Sequence, residues 1–349
     1  MKQALLYKEK NKNLVQCNAC SWHCNIKPGK TGICGVRKNI DGVLYSLVYE
    51  HPTSVQIDPI EKKPFFHFLP RRPVFSLGTM GCNFQCQFCQ NWGISQQPKK
   101  IAKNPNISLE DTIENYEKWS PEQIIRHCKE RDIPVIAYTY NEPAVFFRYA
   151  YDIARLAFKT GIKNVYVTNG FESKQALEKI APYLDAINID LKSFSREFYK
   201  NICKAKVDPV KRNIKDIVKK YKNIWLEITT LLIPGENDSK KELKNIAKFI
   251  AKLNPNIPWH ISRFHPAYKM KDKQETPFKT LKLAYKIGKE AGLNFVYIGN
   301  STNKKYQNTY CPNCNNDVIN RSGYDIEVNL DRNICPNCGF IIPGIWQNI

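Results

Sequence analysis

Three cysteines, Cys82, Cys86 and Cys89, stand in the run Gly-Cys-Asn-Phe-Gln-Cys-Gln-Phe-Cys-Gln-Asn-Trp with no fourth cysteine beside them. Thiolates are the usual ligands of iron–sulfur cubes, and an electron-carrying cube takes four of them. Three leave one iron without a protein ligand. As in catalytic zinc sites, an open position on a metal is a place for water or substrate to bind. The competing reading closes these thiolates with a distant fourth, Cys128 or Cys203, around a structural zinc, but such sites usually close with paired local spacings. The other cysteines sharpen the point. Of 13 in the chain, four lie near the N-terminus (Cys17, Cys20, Cys24, Cys34) and four near the C-terminus (Cys311, Cys314, Cys335, Cys338). Each outer group can saturate a metal alone; only the central group is one short.

The elements that must position this loop show in the hydrophobic pattern. From 73 to 299, β-rich runs alternate with amphipathic helices, which implies an α/β fold with successive βα units and a parallel sheet. The expected strands are 74–79, 134–140, 163–168, 186–191, 224–233, 258–264 and a short 294–298. Ser120, Pro121 and Gln123 form an N-cap, first-turn proline and capping-box set, Thr276-Pro277 repeats the start signal, and Gly161 and Gly292 supply stops. Leu243, Ile246, Ile250 and Leu253 share one helical stripe. The polar stretch 96–119 reads as an insertion over the site or as a solvated loop.

In parallel barrels reactive groups gather at the carboxyl ends of the strands. The unusual polar residues fall there: the cysteine loop, Asn141-Glu142-Pro143, Thr168-Asn169-Gly170, Asp190 and Lys192, Thr229 and Thr230, and His260, Ser262, Arg263 and His265. Singly, each reads as a helix cap, an ion pair or a satisfied core residue. Together they line one rim.

The Cys82-x3-Cys86-x2-Cys89 spacing resembles that of the radical S-adenosylmethionine (SAM) enzymes, which implies a partial (β/α)6 barrel, a four-iron cluster and SAM. The resemblance assigns roles. Asn141 and Glu142 take the place of the loop that binds the methionine amino group, with Asn141 replacing a glycine and the Glu142 carboxylate suited to an ammonium. Thr168 and Asn169 are candidates for ribose or carboxylate, Arg263 for the SAM carboxylate, and Gly299 for close approach of adenine. Asp190-Leu191-Lys192 is similar to the element of glycyl-radical activating enzymes in which the acid helps hold a monovalent cation and the lysine faces substrate. The implied chemistry is one-electron cleavage of SAM to a 5′-deoxyadenosyl radical that abstracts hydrogen from a protein or small-molecule substrate, an oxidoreductase fed by a low-potential electron donor.

Further blocks narrow the resemblance: 44–49, 57–64, Tyr138-Thr139-Tyr140-Asn141-Glu142-Pro143, Tyr297-Ile298-Gly299-Asn300 and Asn308-Thr309-Tyr310-Cys311. These look like the AmmeMemoRadiSam-system radical SAM proteins, relatives of the pyruvate formate-lyase activating enzymes, and suggest AMMECR1-like and Memo-like partners. The chain departs from that pattern at 303–307, where a glycine-rich stretch is replaced.

Three segments follow: 1–72, Cys-rich and metal-binding; 73–300, the partial barrel; and 301–349, resembling a zinc ribbon. Cys311-Pro-Asn-Cys314 and Cys335-Pro-Asn-Cys338 are paired knuckles suited to zinc, with iron as the alternative. The N-terminal set is less regular and is read as zinc first, an auxiliary iron–sulfur cluster second, with His23 a bystander. The formal charge of +21 raises a nucleic-acid partner and an RNA-modifying radical SAM enzyme as an alternative function, but the lysines are dispersed over the predicted helices, as on solvated faces. A zinc-binding scaffold with a degenerate cluster is the non-enzymatic alternative. No signal-peptide pattern opens the chain and no window approaches ~20 apolar residues, so a cytoplasmic protein without membrane contact is expected.

Overall fold

A computed structural model describes residues 1–346 except Lys103, Pro105 and Thr302. Two residues of the 96–119 insertion and four of the C-terminal segment thus lie outside the described residues. The main sheet has eight strands: β1 Ser54–Pro59, β2 Pro73–Gly78, β3 Val135–Tyr138, β4 Lys163–Thr168, β5 Ala186–Asp190, β6 Trp225–Leu232, β7 Trp259–Arg263 and β8 Val296–Gly299. Their order in the sheet is their order in sequence. β2 to β8 run parallel, and each crossover carries a helix: α1 Pro121–Glu130, α2 Phe147–Lys159, α3 Lys174–Ile180, α4 Val207–Lys220, α5 Lys240–Leu253 and α6 Phe278–Glu290. All seven expected strands form. β1, which the sequence reading did not include, pairs antiparallel with β2 at the sheet edge. Edge β8 is not paired with β1, so six βα units and a closing strand make an open barrel.

Side chains alternate across each strand. Ile136, Tyr138, Tyr166, Ile187, Leu226 and Ile228 join the large core shared with the helices, while Val74, Val135, Ala137, Val165 and Ala186 cluster with Ile60, Phe65, Phe68 and Leu69. The 60–69 segment therefore plugs one end of the barrel, and its polar groups are met from within. Buried Glu227 accepts the amides of Phe66 and His67 and the indole N–H of Trp225, and lies 2.5 Å from His260 Nε2. Burial disfavours its charge, but the His260 contact and charge hold its pKa below the ordinary value.

The capping box at α1 is present, with Ser120 N donating to Gln123 Oε1 (2.7 Å) and Gln123 N to Ser120 Oγ (3.2 Å). Gly161 and Gly292 take the left-handed conformation past α2 and α6 (φ 80° and 93°). Thr276 is not the cap of α6: that position is Pro277, and the Thr276 hydroxyl instead donates to Leu232 O and accepts from Phe264 N, tying β6 to β7. A long-range carbonyl outcompetes the local cap. Leu243, Ile246 and Ile250 are buried on α5 as expected, with Leu253 at the margin.

The N-terminal segment adds two three-stranded antiparallel sheets, and its Val15, Val36 and Leu44 belong to the main core. The C-terminal segment forms a three-stranded sheet over a second core in which Val318, Ile319 and Ile326 meet Phe66, Phe295 and Tyr297 of the barrel. Among the described residues no helix is long and apolar enough to cross a membrane.

Candidate active site

The loop between β2 and α1 carries Cys82, Cys86 and Cys89 into the carboxyl end of the barrel, where a cavity of about 690 Å³ opens. Glycine is obligatory at two points of its path. A Cβ on Gly78 would lie 2.7 Å from Thr139 O, and one on Gly81 (φ 91°) 2.8 Å from Cys34 O. Asn141 then pins the strand end: its Nδ2 donates to Gly81 O (2.7 Å) and Thr79 Oγ1 (3.2 Å), and its Oδ1 accepts from Thr79 N (3.2 Å). The left-handed residue in this turn is Tyr140 (φ 68°), not Asn141, so what Asn141 contributes here is its amide.

The described residues of the insertion include two short helices, Gln97–Ile101 and Leu109–Glu114, with mostly exposed residues between them. The helix Gln97–Ile101 brings half-buried Lys99 onto the cysteine loop, where Nζ donates to Cys82 O (3.0 Å) and Phe84 O (2.9 Å). Burial pushes the Lys99 pKa down. Burial pushes the Cys82 thiol up and takes Cys89 to about 11. Cys86 is raised by the neighbouring Cys203 thiol and by burial. Cys203 thus stands beside the triad, while Cys128 lies on α1 and feels burial alone.

Thiol spacing separates the three cysteine groups. A tetrahedral ion with metal–sulfur bonds of ~2.3 Å sets its ligand sulfurs ~3.8 Å apart. Cys311, Cys314, Cys335 and Cys338 fit, with Sγ···Sγ of 3.6 Å for 311–338 and 3.7 Å for 314–335. Among the described residues no other group of three or more His, Cys, Asp or Glu converges within 4.8 Å, so the triad with Cys203 does not form a one-ion cage. Thiolates bound to different irons of a cube need no such convergence.

The cavity brings together most of the residues expected on the rim: the three cysteines, Asn141, Thr168, Asn169, Asp190, Lys192, Thr229, His260, Ser262 and Gly299. Asn169 Nδ2 donates to Oδ1 of Asn83, next to Cys82 (2.7 Å). Lys192 Nζ pairs with Asp190 at 2.8 Å. Burial opposes the Lys192 charge, but Asp190 and the Cys86 and Cys203 thiols hold its pKa above the ordinary value. A Cβ on Gly299 would meet nothing closer than Ser262 Oγ at 3.8 Å, an ordinary contact, so that part of the cavity wall is bare backbone with room beside it.

Several expected residues are placed elsewhere. Glu142 is fully buried behind the cavity wall, accepting from Ala144 N (3.0 Å), Asn169 N (2.9 Å) and the Thr168 hydroxyl (3.0 Å). Thr168 Oγ1 is also 2.6 Å from Glu172. Burial, then Glu172, raises the Glu142 pKa to about 8. Arg263 does not line the cavity: Nε donates to Thr276 O (3.1 Å) and the guanidinium faces Glu275. Thr230 bonds Trp259 and Leu191 on the helix side, and His265 pairs with Glu275.

The sequence reading missed two features of the mouth. Buried Lys63 bonds Asp58 at 2.6 Å and lies 4.5 Å over the Tyr140 ring, with burial lowering its pKa. The charged run 57–64 was the available signal. The C-terminal hairpin also reaches the cavity with Gly323 and Tyr324. Arg321 anchors it, buried over the Phe66 ring (4.1 Å) and bonded to Phe66 O and Thr309 Oγ1 (both 2.8 Å).

Residues 77–250 match the Radical SAM superfamily. An uncharacterized protein of Methanocaldococcus jannaschii is 41% identical over 343 residues, covering 97% of this chain and 98% of its own. A second protein of that organism, provisionally named a glycyl-radical enzyme activating enzyme, is 28% identical over 196 residues, 54% of this chain and 66% of its own. A solved domain of a pyruvate-formate lyase-activating enzyme from Bacteroides vulgatus aligns with a TM-score of 0.41 at 22% identity, over 47% of this chain and 97% of that domain.

Proposed function

We propose that this chain, which belongs to the radical SAM superfamily, holds a four-iron cluster on Cys82, Cys86 and Cys89 and cleaves SAM in the cavity above it to act on a protein or small-molecule substrate. The observation that carries the reading is the loop itself: three buried or half-buried thiols at the cavity wall, without the one-ion convergence that the C-terminal four display. When bound, the cluster and SAM supply one-electron cleavage and a 5′-deoxyadenosyl radical.

The chain's own residues position and shield. Asn141 and Lys99 fix the cysteine loop from two sides, and Asn169 ties the loop after β4 to Asn83. Glu142 acts through Thr168 and Asn169, holding that loop from behind. Asn169 and Thr168 then face the ligand, and Gly299 leaves room for a flat ring. Asp190 and Lys192 offer an adjacent anion and cation to the polar end of a substrate. Arg263 has no place in this scheme. The C-terminal four-thiol site suits structural zinc, which would order a hairpin whose tip walls the cavity.

The finer reading is an activating-enzyme-like protein of the AmmeMemoRadiSam type, served by a low-potential donor and working beside AMMECR1-like and Memo-like proteins. It is supported by the sequence blocks at 57–64, Tyr138 to Pro143 and Tyr297 to Asn300. An RNA substrate has only the dispersed positive charge behind it. The test is anaerobic reconstitution with SAM and a reductant, followed for 5′-deoxyadenosine. Product is expected, and its loss in Cys86→Ala with the C-terminal metal retained. No product from a chain with an intact cluster overturns the enzyme in favour of a scaffold.

A further inference from the structure

The N-terminal cysteines lie against the cluster loop. Cys34 O is the atom that a Cβ on Gly81 would strike, and Trp22 Nε1 donates to Asn83 O (2.9 Å), so both neighbours of Cys82 are touched by this segment. On its other side the segment joins the loop after β4 through a Cys20–Glu172 bridge and the Ser21 N to Phe171 O bond (2.9 Å). Within the segment Cys17 N donates to Cys24 O (2.9 Å), and Cys20 feels the charges of Cys17, Cys34 and Cys24. Yet no three of them meet the 4.8 Å spacing that the C-terminal set meets in the same molecule. That contrast separates the two kinds of site. His23 Nδ1 is taken by Asn18 Oδ1 (2.9 Å), and so is not poised as a ligand.

A second observation points to an anion here. Arg37 is 1% exposed; its Nη2 donates to Leu5 O, while its Nε and Nη1 have no hydrogen-bond partner. Its charge reaches Cys24 and Cys34. A buried guanidinium with two unpartnered nitrogens and only neutral thiols within reach of its charge is costly, whereas four thiolates around a metal centre leave a net negative charge to balance it.

We propose that Cys17, Cys20, Cys24 and Cys34 bind a second iron–sulfur cluster, of the four-iron class with all four ligands from the chain, docked directly on the loop of the SAM-binding cluster. It is a closed site, unlike the central one, and sets two one-electron centres side by side. Zinc, the first sequence reading for this set, requires a convergence that these thiols lack.

The test is metal analysis and spectroscopy of the anaerobically reconstituted full chain. About eight irons and one zinc per chain are expected, two cubes and a ribbon ion. Cys86→Ala keeps about four irons, in a cluster whose spectrum ignores SAM. The fully reduced parent shows spin–spin broadening between the two clusters, which this variant loses. About four irons and two zincs in the parent overturn the proposal without any variant having to fold. Broadening absent from a parent with two reduced clusters overturns the docking. Eight irons with neither cluster responding to SAM would instead sink the proposed function and leave this site standing.

Discussion

Replacing Asn141 separates two roles that the sequence alone merged. In the structure its amide is committed to Thr79 N, Thr79 Oγ1 and Gly81 O, three groups on the strand end leading into Cys82. Asn141→Ala removes these bonds and leaves the Thr79 amide, on a fully buried residue, without an acceptor. At ~1 kcal/mol per lost bond, and more for the orphaned donor, the seated loop loses about 3 kcal/mol, roughly a hundredfold in its closed-to-open ratio. The assay is iron loss to a chelator after anaerobic reconstitution, read beside SAM binding to the protein that still holds its cluster. Iron is expected to leave faster by about that factor, with SAM affinity of the intact fraction little changed. Normal iron retention with SAM binding abolished would show Asn141 to be a ligand contact and would refute the reasoning.

Three further outcomes follow from the same geometry. Glu142 carries a pKa of about 8 against an ordinary 4.5, so the folded chain holds a proton that the unfolded chain releases. Stability must therefore fall as pH rises between those values, and denaturant midpoints should be lower at pH 9 than at pH 6, with a shallower slope in Glu172→Gln, where the like charge is gone. Gly299→Val should fold with stability within ~1 kcal/mol of the parent, because an added Cβ meets only ordinary van der Waals contacts at the cavity wall, yet lose SAM affinity by titration. Arg321→Ala breaks the bonds to Phe66 and Thr309 and should lower unfolding free energy by ~2–4 kcal/mol, with faster loss of the C-terminal metal to a chelator.

Much of this was legible because it is local. The capping box at Ser120, the stripe on α5 and the βα alternation depend on neighbours within a few residues, and each formed as read. The rim could have been read more finely. Thr229 and Leu231 face the cavity and Thr230 does not, and His260 and Ser262 face it while Arg263 turns out, so period-two alternation would have removed Arg263 and Thr230. Other features rest on partners far along the chain. Glu142 is turned inward by Thr168 and Asn169, the Thr276 hydroxyl is claimed by Leu232, and the C-terminal hairpin reaches the mouth only because Arg321 finds Phe66. No local pattern encodes those meetings.

The proposed chemistry requires that one iron be coordinated by something other than the chain. The most direct measurement is the electron paramagnetic resonance spectrum of the reduced, anaerobic protein with and without SAM labelled at its amino nitrogen. A changed cluster signal carrying hyperfine coupling to the label is the predicted result, and it should vanish in Cys86→Ala. A signal indifferent to SAM, from a cluster that is fully assembled and reduced, would contradict it.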